Sequence, residues 1–453
     1  MYENKKIFIL GFARSGYEAA KVLIARGNQV LINDKKEESE QDSDKVKELR
    51  ELGVNFVFGS HPPELLDESF DYLVKNPGVP LDHIYVKKAQ ELQIPIVNEV
   101  EIAFSLFPKG VKLIGITGTN GKTTTTTLTY EFLKEAGLPV YLTGNIGFPL
   151  CGFVNNLKSG DIVVMEVSCQ QLVNLTTFRP DIALMTNLSP AHLDFLGDYD
   201  NYKRVKKKIF QNQKSSDIAI LNMEDEDILN LTKDIKATVK YFSSKHEING
   251  AYLKNDVIYY YDEQVVSCRD IMLKGVHNLE NIMGAIMIAK EFAVSNDVIL
   301  KVLQHFNGVA HRLEFVRDYQ GKRFYNDSKA TNLKSTQIAL SAFTEPTILL
   351  LGGQERHQEF NDLKPYLQHV KAVICFGEVK DRAALFVKEQ GIPVYVEDLL
   401  PDCVKLADEL AVSGDVVVLS PGSGSWDHYK KFEDRGDEFK KYVNLLGDET
   451  NEN

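Results

Sequence analysis

The stretch 118–124, which reads GTNGKTT, combines the residue types of a loop that binds nucleotide phosphates. Its glycines allow backbone N–H groups to point inward, and a helix that starts at Lys122 adds partial positive charge. Lys122 can reach the terminal phosphates, and the hydroxyl of Thr123 or Thr124 can ligate Mg²⁺. A chance G-x-x-G-K-T in a flexible loop is the alternative, but strand, turn and helix signals coincide here. The predicted phosphate-binding residues are Gly118, Thr119, Asn120, Gly121, Lys122, Thr123 and Thr124.

Two polar side chains follow apolar strands downstream of this loop. Glu166 lies near the end of the apolar run 162–167, and His192 follows a strand predicted at 182–186. A carboxylate at the end of a buried strand is costly unless its charge is compensated, so a cation is expected there. Glu166 and His192 can hold one Mg²⁺ together, although a helix-capping glutamate and a surface histidine are the alternatives. Asn145, flanked by glycines, can present its amide to a ligand.

The first segment of the chain predicts the elements that would position a second ligand. A strand at 6–10, a helix through residue 23 and a strand from 29 that ends in Asp34 form a βαβ unit. An acid at the end of the second strand is what a dinucleotide-binding fold uses on a ribose, so an NAD-dependent oxidoreductase is a rival hypothesis. Ala13 stands where close approach to a pyrophosphate favours Gly. We therefore prefer another ligand that contains a nucleotide.

The turn NPGV at 76–79 follows a strand predicted at 72–75. Open α/β sheets place ligands at the ends of such strands, and a plain tight turn is an almost equal alternative. The predicted ligand-binding residues of the first segment are Ala13, Arg14, Ser15, Asp34, Asn76 and Gly78.

Two helical regions of the middle segment carry polar side chains: one has three consecutive lysines, and the other has two asparagines. A basic helix at 202–210 contains three consecutive lysines at 206–208, and its default interpretation is a solvated charged face. Asn278 and Asn281 lie one turn apart, before a helix predicted at 282–292. These two amides either face a base or ribose or cap the helix.

The third segment repeats an α/β plan, and two of its loops follow predicted strands. These loops are DSKATN at 327–332 and SPGSGSWD at 420–427. Small hydroxyl residues and glycines beside a lysine suit the binding of a small carboxylate or phosphate. The alternative is a pair of surface turns.

The chain as a whole contains 453 residues, more than one ordinary core requires, so two or three domains are expected. The boundaries are predicted to give domains 1–109, 110–310 and 311–453. A net charge of −12 argues against nucleic acid as a partner. The N-terminus shows no cleavable apolar core, and no apolar run approaches the ~18 residues of a membrane span, which predicts a soluble cytoplasmic protein. Five cysteines without metal spacing predict reduced structural thiols.

Taken together, these motifs resemble the Mur ligase family over essentially the whole chain. The stretch TGTNGKT at 117–123 resembles the short ATP loop of the family, and the sequence SWD at 425–427 with FEDRG at 432–436 resembles the C-terminal signature of members that use D-glutamate. Other family positions occur in the expected order: Glu166, His192, Asn278, His311, Arg312 and the loop 327–332. The chain departs from the family pattern at Cys169-Gln170-Gln171, at Ala191 and at Gln354-Glu355-Arg356.

The resemblance implies an α/β protein of three domains. These are an N-terminal Rossmann-like domain for the UDP part of the substrate, a central P-loop-type ATPase sheet, and a C-terminal Rossmann-like domain for the amino acid. ATP would phosphorylate the terminal carboxylate of UDP-N-acetylmuramoyl-L-alanine, and the amine of D-glutamate would attack the acyl phosphate, in peptidoglycan precursor synthesis. Two Mg²⁺ ions and a carbamylated lysine would take part, and the protein would be a monomer. Another Mur ligase or a folylpolyglutamate synthetase is the nearest alternative.

The resemblance also implies roles for individual residues. The catalytic residues would be Lys122, Glu166, His192 and Lys206, and the metal ions would be held by Thr123, Glu166, His192 and carbamylated Lys206. The nucleotide would be held by Asn278, Arg312, Asp327 and Lys329. The other substrates would be contacted by Asn145, Thr331, Arg356, Ser425, Trp426 and Phe432. Among the three lysines at 206–208, the spacing of Tyr202 selects Lys206. Arg356 is the candidate for the D-glutamate carboxylate because a guanidinium can grip a carboxylate with two hydrogen bonds.

Overall fold

The computed structural model describes residues 2–273 and 275–447. The chain divides into two compact units, the first unit at 1–305 and the second unit at 306–453. Within the described residues, none of the helices has both the length and the apolar character that crossing a bilayer requires. Four of the five cysteines, Cys151, Cys169, Cys375 and Cys403, are buried, and Cys268 is partly buried.

The first unit opens with a sheet of five parallel strands in the order β3-β2-β1-β4-β5. The strands are short apolar runs because helices cover both faces of the sheet. The strand order reverses between β1 and β4, and this is the position at which open α/β sheets bind ligands. The elements are β1 Lys6–Leu10, α1 Arg14–Ile24, β2 Gln29–Asp34, α2 Ser43–Glu51, β3 Asn55–Phe58, β4 Tyr72–Lys75, α3 Ile84–Glu91, β5 Ile96–Val97 and α4 Glu99–Phe104.

The second sheet of the first unit has nine strands in the order β14-β13-β12-β11-β10-β9-β6-β8-β7. It is parallel from β7 to β12 and ends in the antiparallel strands β13 and β14, which form an added hairpin. The elements are β6 Lys112–Thr117, α5 Lys122–Glu135, β7 Val140–Gly144, β8 Ile162–Glu166, α6 Cys169–Val173, β9 Ile182–Met185, α7 Leu193–Leu196, α8 Tyr199–Lys207, β10 Ile218–Asn222, α9 Glu226–Leu231, β11 Thr238–Ser243, β12 Gly250–Lys254, β13 Val257–Tyr260, β14 Glu263–Ser267, α10 Val276–Glu291 and α11 Asn296–Leu303.

Helix α4 joins the two sheets of the first unit through a buried carboxylate. Glu101 accepts hydrogen bonds from the backbone N–H and the hydroxyl of Thr176 and of Thr177, and from the backbone N–H of Phe178. Several N–H and O–H donors can stabilise a charged carboxylate away from water. The first sheet is therefore held to the second by directional polar contacts as well as by apolar packing.

The second unit contains one sheet of six strands in the order β15-β16-β20-β17-β18-β19. All neighbours in this sheet pair in parallel except β15 and β16. Because β16 and β20 are parallel neighbours, the loops that follow them leave the same edge of the sheet. The elements are β15 Glu314–Tyr319, β16 Lys322–Asn326, α12 Leu333–Leu340, β17 Thr347–Gly352, β18 Val370–Phe376, α13 Lys380–Glu389, β19 Val394–Val396, α14 Leu400–Leu410, β20 Val416–Gly422 and α15 Phe432–Leu445.

Candidate active site

The predicted phosphate loop connects β6 to α5 at the carboxyl edge of the nine-stranded sheet. Gly118 and Gly121 have φ angles of +143° and +78°, which side chains with a Cβ rarely adopt. Lys122 Nζ lies 2.9 Å from the carbonyl oxygen of Gly118 and 2.7 Å from that of Thr119, to which it donates hydrogen bonds. Thr123 is buried beneath the loop. The strand, turn and helix predicted here are confirmed, and the loop is ordered by its own contacts.

Two side chains from other elements support the loop. The hydroxyl of Tyr202, on α8, lies 2.9 Å from that of Thr119. The backbone N–H of Asn120 donates to the side-chain oxygen of Asn187 at 2.9 Å. Asn187 was not among the predicted site residues, although its position directly after a predicted strand was a usable signal.

Helix α10 also approaches the loop, and it begins at Val276 rather than at the predicted residue 282. Asn278 therefore lies in the first turn of the helix and Asn281 in its interior, so the alternative that these two residues cap it is wrong. A Cβ at Gly121 would come 2.8 Å from Cγ of Asn281, which is why the loop needs a glycine there. Asn281 donates to the side-chain oxygen of Asn278 at 3.3 Å.

Glu166 ends β8 beside the phosphate loop and is buried, with 1% of its surface exposed. Its Oε1 accepts a hydrogen bond from Nδ2 of Asn145 at 2.9 Å, whereas its buried Oε2 has no hydrogen-bond partner among the described residues. A buried carboxylate oxygen without a donor carries a large desolvation cost unless a cation meets it. This orphaned oxygen fits a Mg²⁺ ligand, and the amide of Asn145 is directed at the same carboxylate.

His192 lies at the start of α7 with a φ of +53° and an exposed ring. Its Nδ1 is 3.4 Å from Nε2 of Gln170. In the described part of the chain, no three His, Cys, Asp or Glu side chains form a group that could hold a metal ion. A Mg²⁺ ion at Glu166 would therefore need oxygen ligands of other kinds, such as the Thr123 hydroxyl, water or phosphate.

Lys206, on α8, is almost completely buried, with 1% of its surface exposed. Its Nζ lies 3.3 Å from the hydroxyl of Thr117 and 5.0 Å from the centre of the Tyr202 ring. The pKa of Lys206 is lowered to about 7, mainly because the side chain is buried and secondly because of the positive charge of Lys122. The default interpretation of this helix as a solvated basic face is thus wrong for Lys206, because it occupies the buried side of the helix, one turn after Tyr202.

The two lysines that follow Lys206 behave differently. Lys207 pairs with Asp234 at 2.5 Å on the surface, and Lys208 donates to the carbonyl oxygen of Val173 at 2.6 Å. Only Lys206 of the three is oriented toward the carboxyl edge of β6.

A second group of predicted residues lies at the carboxyl ends of β1, β2 and β4. Asp34 Oδ2 accepts a hydrogen bond from the backbone N–H of Phe12 at 2.6 Å. Nδ2 of Asn76 donates to the hydroxyl of Ser15 at 3.1 Å, and its Oδ1 accepts from the backbone N–H of Gly78 at 3.2 Å. The structure therefore brings the loop after β1 and the turn after β4 together, at the point where the strand order reverses. Ala13, on the loop after β1, and Arg14, the first residue of α1, are exposed.

In the second unit, Asp327 is buried at the edge of the sheet, with 5% of its surface exposed. Its carboxylate accepts hydrogen bonds from the backbone N–H of Leu313 at 3.2 Å and from the hydroxyl of Ser420 at 2.7 Å. Burial is the main reason that its pKa rises to about 7. Nζ of Lys329 lies 5.7 Å from the ring centre of Phe432.

Arg312 is exposed in the loop that precedes β15. Thr331 is partly buried on the loop after β16, and Ser425 is buried on the loop after β20. The guanidinium carbon of Arg356 lies 5.3 Å from the ring centre of the exposed Trp426, in the geometry of a cation–π contact. The guanidinium also donates to the side chain of Gln354 at 3.2 Å.

Arg435 is a residue whose position the sequence analysis did not foresee. It is fully buried, and it donates to both the hydroxyl and the carbonyl oxygen of Ser328 and to the carbonyl oxygens of Ser423 and Gly424, at 2.9–3.1 Å. One guanidinium thus ties the loop after β16 to the loop after β20. Its place inside the signature FEDRG was the available signal.

Comparison with known families identifies three matching regions. Residues 5–98 match the model for the Mur ligase MurD-like N-terminal domain, residues 116–289 match the Mur ligase middle domain, and residues 311–423 match the Mur ligase glutamate ligase domain. The NAD-dependent oxidoreductase alternative gains no support from any of these matches.

Full-length relatives and solved structures point the same way. The chain is 45% identical to a UDP-N-acetylmuramoylalanine–D-glutamate ligase of Geobacillus kaustophilus (strain HTA426), and 44% identical to one of Bacillus mycoides (strain KBAB4), over 98% of both chains in each case. Among solved structures, MurF from Acinetobacter baumannii matches with a TM-score of 0.58 at 17% identity, covering 96% of this chain and 93% of that one. UDP-N-acetylmuramate-alanine ligase MurC from Thermotoga maritima matches with a TM-score of 0.57 at 19% identity, covering 98% and 100%. These two structures show the fold. The full-length identity shows more: the chain belongs to the Mur ligase family.

Proposed function

We propose that this chain is an ATP-dependent ligase that joins D-glutamate to UDP-N-acetylmuramoyl-L-alanine in peptidoglycan synthesis. The observation that carries the proposal is the 45% identity, over 98% of both chains, to a UDP-N-acetylmuramoylalanine–D-glutamate ligase. The ordered phosphate loop and the orphaned carboxylate oxygen of Glu166 are consistent with the ATP and Mg²⁺ that the family uses. We further propose that the chain acts on these small molecules as a monomer in the cytoplasm, where ATP is available.

The reaction is the formation of an amide in two transfers. The terminal carboxylate of UDP-N-acetylmuramoyl-L-alanine attacks the γ-phosphorus of ATP, which yields an acyl phosphate and ADP. The neutral amine of D-glutamate then attacks the acyl carbon, and phosphate leaves as the amide forms and the amine loses a proton. Lys122 and the backbone N–H groups of the loop 118–124 would hold the phosphates in line for the first transfer.

The metal-binding part of the proposal involves two Mg²⁺ ions. Thr123, Glu166, His192 and a carbamylated Lys206 would supply protein ligands, and the bound ions would neutralise negative charge on the phosphoryl group and the carboxylate. Lys206 suits carbamylation because burial lowers its pKa to about 7, so a large fraction of its amine is neutral near pH 7. The nitrogen would bond to CO₂ and lose a proton, which converts a buried cation into an anionic oxygen ligand.

The remaining predicted residues are assigned to three domains at 1–109, 110–310 and 311–453. The first would bind the UDP part of the substrate through Ala13, Arg14, Ser15, Asp34, Asn76 and Gly78. The nucleotide of ATP would be held by Asn278, Arg312, Asp327 and Lys329, and Asn145 would contact the substrate. D-Glutamate would be bound by Thr331, Arg356 and Ser425 with Trp426 and Phe432. The exposed guanidinium of Arg356, supported by an aromatic ring, is well suited to a bidentate carboxylate contact.

The test is phosphate release from ATP by the purified chain, measured with each substrate omitted in turn. We expect release only when UDP-N-acetylmuramoyl-L-alanine and D-glutamate are both present. Replacing D-glutamate with L-alanine or meso-diaminopimelate tests the related ligases, and enhanced NADH fluorescence on mixing with the chain tests the oxidoreductase. Release that proceeds equally without D-glutamate, or with another amino acid in its place, would falsify the proposal.

A further inference from the structure

Lys75 is a buried lysine at the end of β4 that the proposed function does not use. Its surface is 0% exposed, and its Nζ donates to three backbone carbonyl oxygens, those of Asn76 at 3.1 Å, Pro77 at 3.4 Å and Val79 at 2.7 Å. Among the described residues, no carboxylate forms an ion pair with it, and burial lowers its pKa to about 8. A buried cation without a counter-ion is costly, so its contacts with the turn must offset that cost.

The turn 76–80 depends on this ammonium group because it has few N–H donors of its own. Pro77 and Pro80 lack a backbone N–H. The three remaining backbone N–H groups are already used: that of Asn76 donates to the carbonyl oxygen of Leu10 at 3.0 Å, that of Val79 to the carbonyl oxygen of Asn76 at 3.0 Å, and that of Gly78 to the side chain of Asn76. Lys75 therefore fixes the orientation of three of the carbonyl groups of the turn, those of Asn76, Pro77 and Val79.

The turn that Lys75 orders is one wall of the crevice between β1 and β4. A Cβ on Gly11 would lie 3.0 Å from Cβ of Asn76, so the backbone after β1 packs directly against this turn. The other face of the Lys75 ammonium lies 5.6 Å from the ring centre of Phe195, on α7. The ammonium thus contacts both the carbonyls of the turn and the ring of Phe195, whereas the amide of Asn76 contacts Ser15.

We propose that Lys75 is a positioning residue for the substrate that carries UDP, because it holds the turn 76–79 in the shape that presents Asn76 and Gly78 to the crevice. Lys75 itself does not touch the ligand. This inference rests on the proposed function only in assigning the crevice to the UDP part of the substrate. Without the ammonium, the carbonyls of Pro77 and Val79 lose their donor, and the turn relaxes to satisfy them with water.

The test compares the full chain with its Lys75→Met variant. We expect the KM for UDP-N-acetylmuramoyl-L-alanine to rise about tenfold or more, which corresponds to the loss of one or two hydrogen bonds to a charged donor, while the KM values for ATP and D-glutamate change less than twofold. Calorimetric titration of the same UDP substrate, without ATP, should show an equal loss of affinity. Lys88→Met is the matched control, because Lys88 also donates to a backbone carbonyl of the first sheet region but is only partly buried.

A second variant covers the case in which Lys75→Met fails to fold. Lys75→Gln retains two N–H donors and should raise the same KM by a smaller factor. A folded variant whose KM for the UDP substrate stays within twofold of the original, or whose three KM values rise equally, overturns the inference. If instead the unmodified chain binds the UDP substrate but releases no phosphate with D-glutamate, the proposed function fails, and calorimetry still decides the role of Lys75.

Discussion

Lys75 and Lys206, two lysines of the first unit, are buried to a similar extent but differ in the hydrogen bonds that their amino groups donate. Burial is the largest cause of a lowered pKa for both, to about 8 for Lys75 and about 7 for Lys206. Lys75 donates to three carbonyl oxygens of one turn. Among the described residues, Lys206 has one hydrogen bond, of 3.3 Å, to the hydroxyl of Thr117. Burial alone therefore does not distinguish a lysine that supports the fold from one that is available to react.

The difference lies in how the hydrogens of each amine are used. An ammonium group with all three hydrogens donated is held in its charged form and has no lone pair to offer. An amine with one long hydrogen bond, next to the cation Lys122, loses its proton more easily and can attack an electrophile such as CO₂. The second unit repeats the contrast with arginines, since Arg435 is buried with four hydrogen bonds and Arg356 is exposed against Trp426.

The largest effect is expected for substitution of Lys122. This variant tests whether hydrogen bonds to backbone carbonyls are enough to identify a lysine that only stabilises the fold. Lys122 also donates to two carbonyl oxygens, but it is only partly buried and lies in the phosphate loop. Lys122→Ala should abolish ATP turnover and leave the circular dichroism spectrum and melting temperature nearly unchanged. Lys134→Ala, in the last turn of the same helix, is the control. Normal phosphate release by a folded Lys122→Ala variant would remove the phosphate-loop assignment.

The second largest effect is expected for substitution of Lys206. Lys206→Ala should lower kcat by about 10²- to 10³-fold, because an anionic ligand close to the developing charge is lost. Short carboxylic acids such as formate should partly restore the rate by occupying the place of the carbamate oxygens. Lys207→Ala, which removes only a surface ion pair, is expected to retain activity. Full activity of Lys206→Ala without added acid would refute carbamylation.

In the second unit, Thr331→Ala and Ser425→Ala test which loops meet the amino acid. Removing a hydroxyl that contacts a charged carboxylate should cost about 1.5–3 kcal/mol, roughly a ten- to hundredfold rise in the KM for D-glutamate. The KM for ATP should barely change. Ser341→Ala, an exposed hydroxyl of α12's C-terminal end, serves as the control. A rise confined to ATP would move both loops out of the amino-acid pocket.

The smallest effect is a dependence on CO₂ that varies with pH. The pKa of Lys206 is lowered to about 7, so the amine is mostly neutral above pH 7 and mostly protonated below it. Only the neutral amine adds CO₂, and the ratio of activity with bicarbonate to activity in CO₂-depleted buffer should therefore be several-fold near pH 8 and approach one near pH 6. Measuring that ratio between pH 6 and pH 8, also with Lys206→Ala, checks whether the activation by CO₂ increases with pH. A ratio that does not change with pH would point away from Lys206.

The sequence predicted the features that depend on residues close together in the chain. The phosphate loop is contiguous, and its glycines at 118 and 121 take the positive φ angles that glycine allows. The same holds for β1 and β4, which were predicted at 6–10 and 72–75 and have those bounds in the structure. The start of α10 was missed because Gly275 precedes a first turn with two polar residues, and apolar periodicity detects only the helix that follows.

The burial and the contacts of the charged side chains could not be predicted from the sequence, because they depend on how the elements pack. Lys206 is indistinguishable from its two neighbours until α8 packs against the nine-stranded sheet and places it beside Thr117. Arg435 lies more than a hundred residues from Ser328, and Lys75 gained its significance when the turn after it closed around its ammonium group. The physical reason is that desolvation and hydrogen bonding depend on distance in space, which local spacing in the chain determines only within a loop or a single turn of helix.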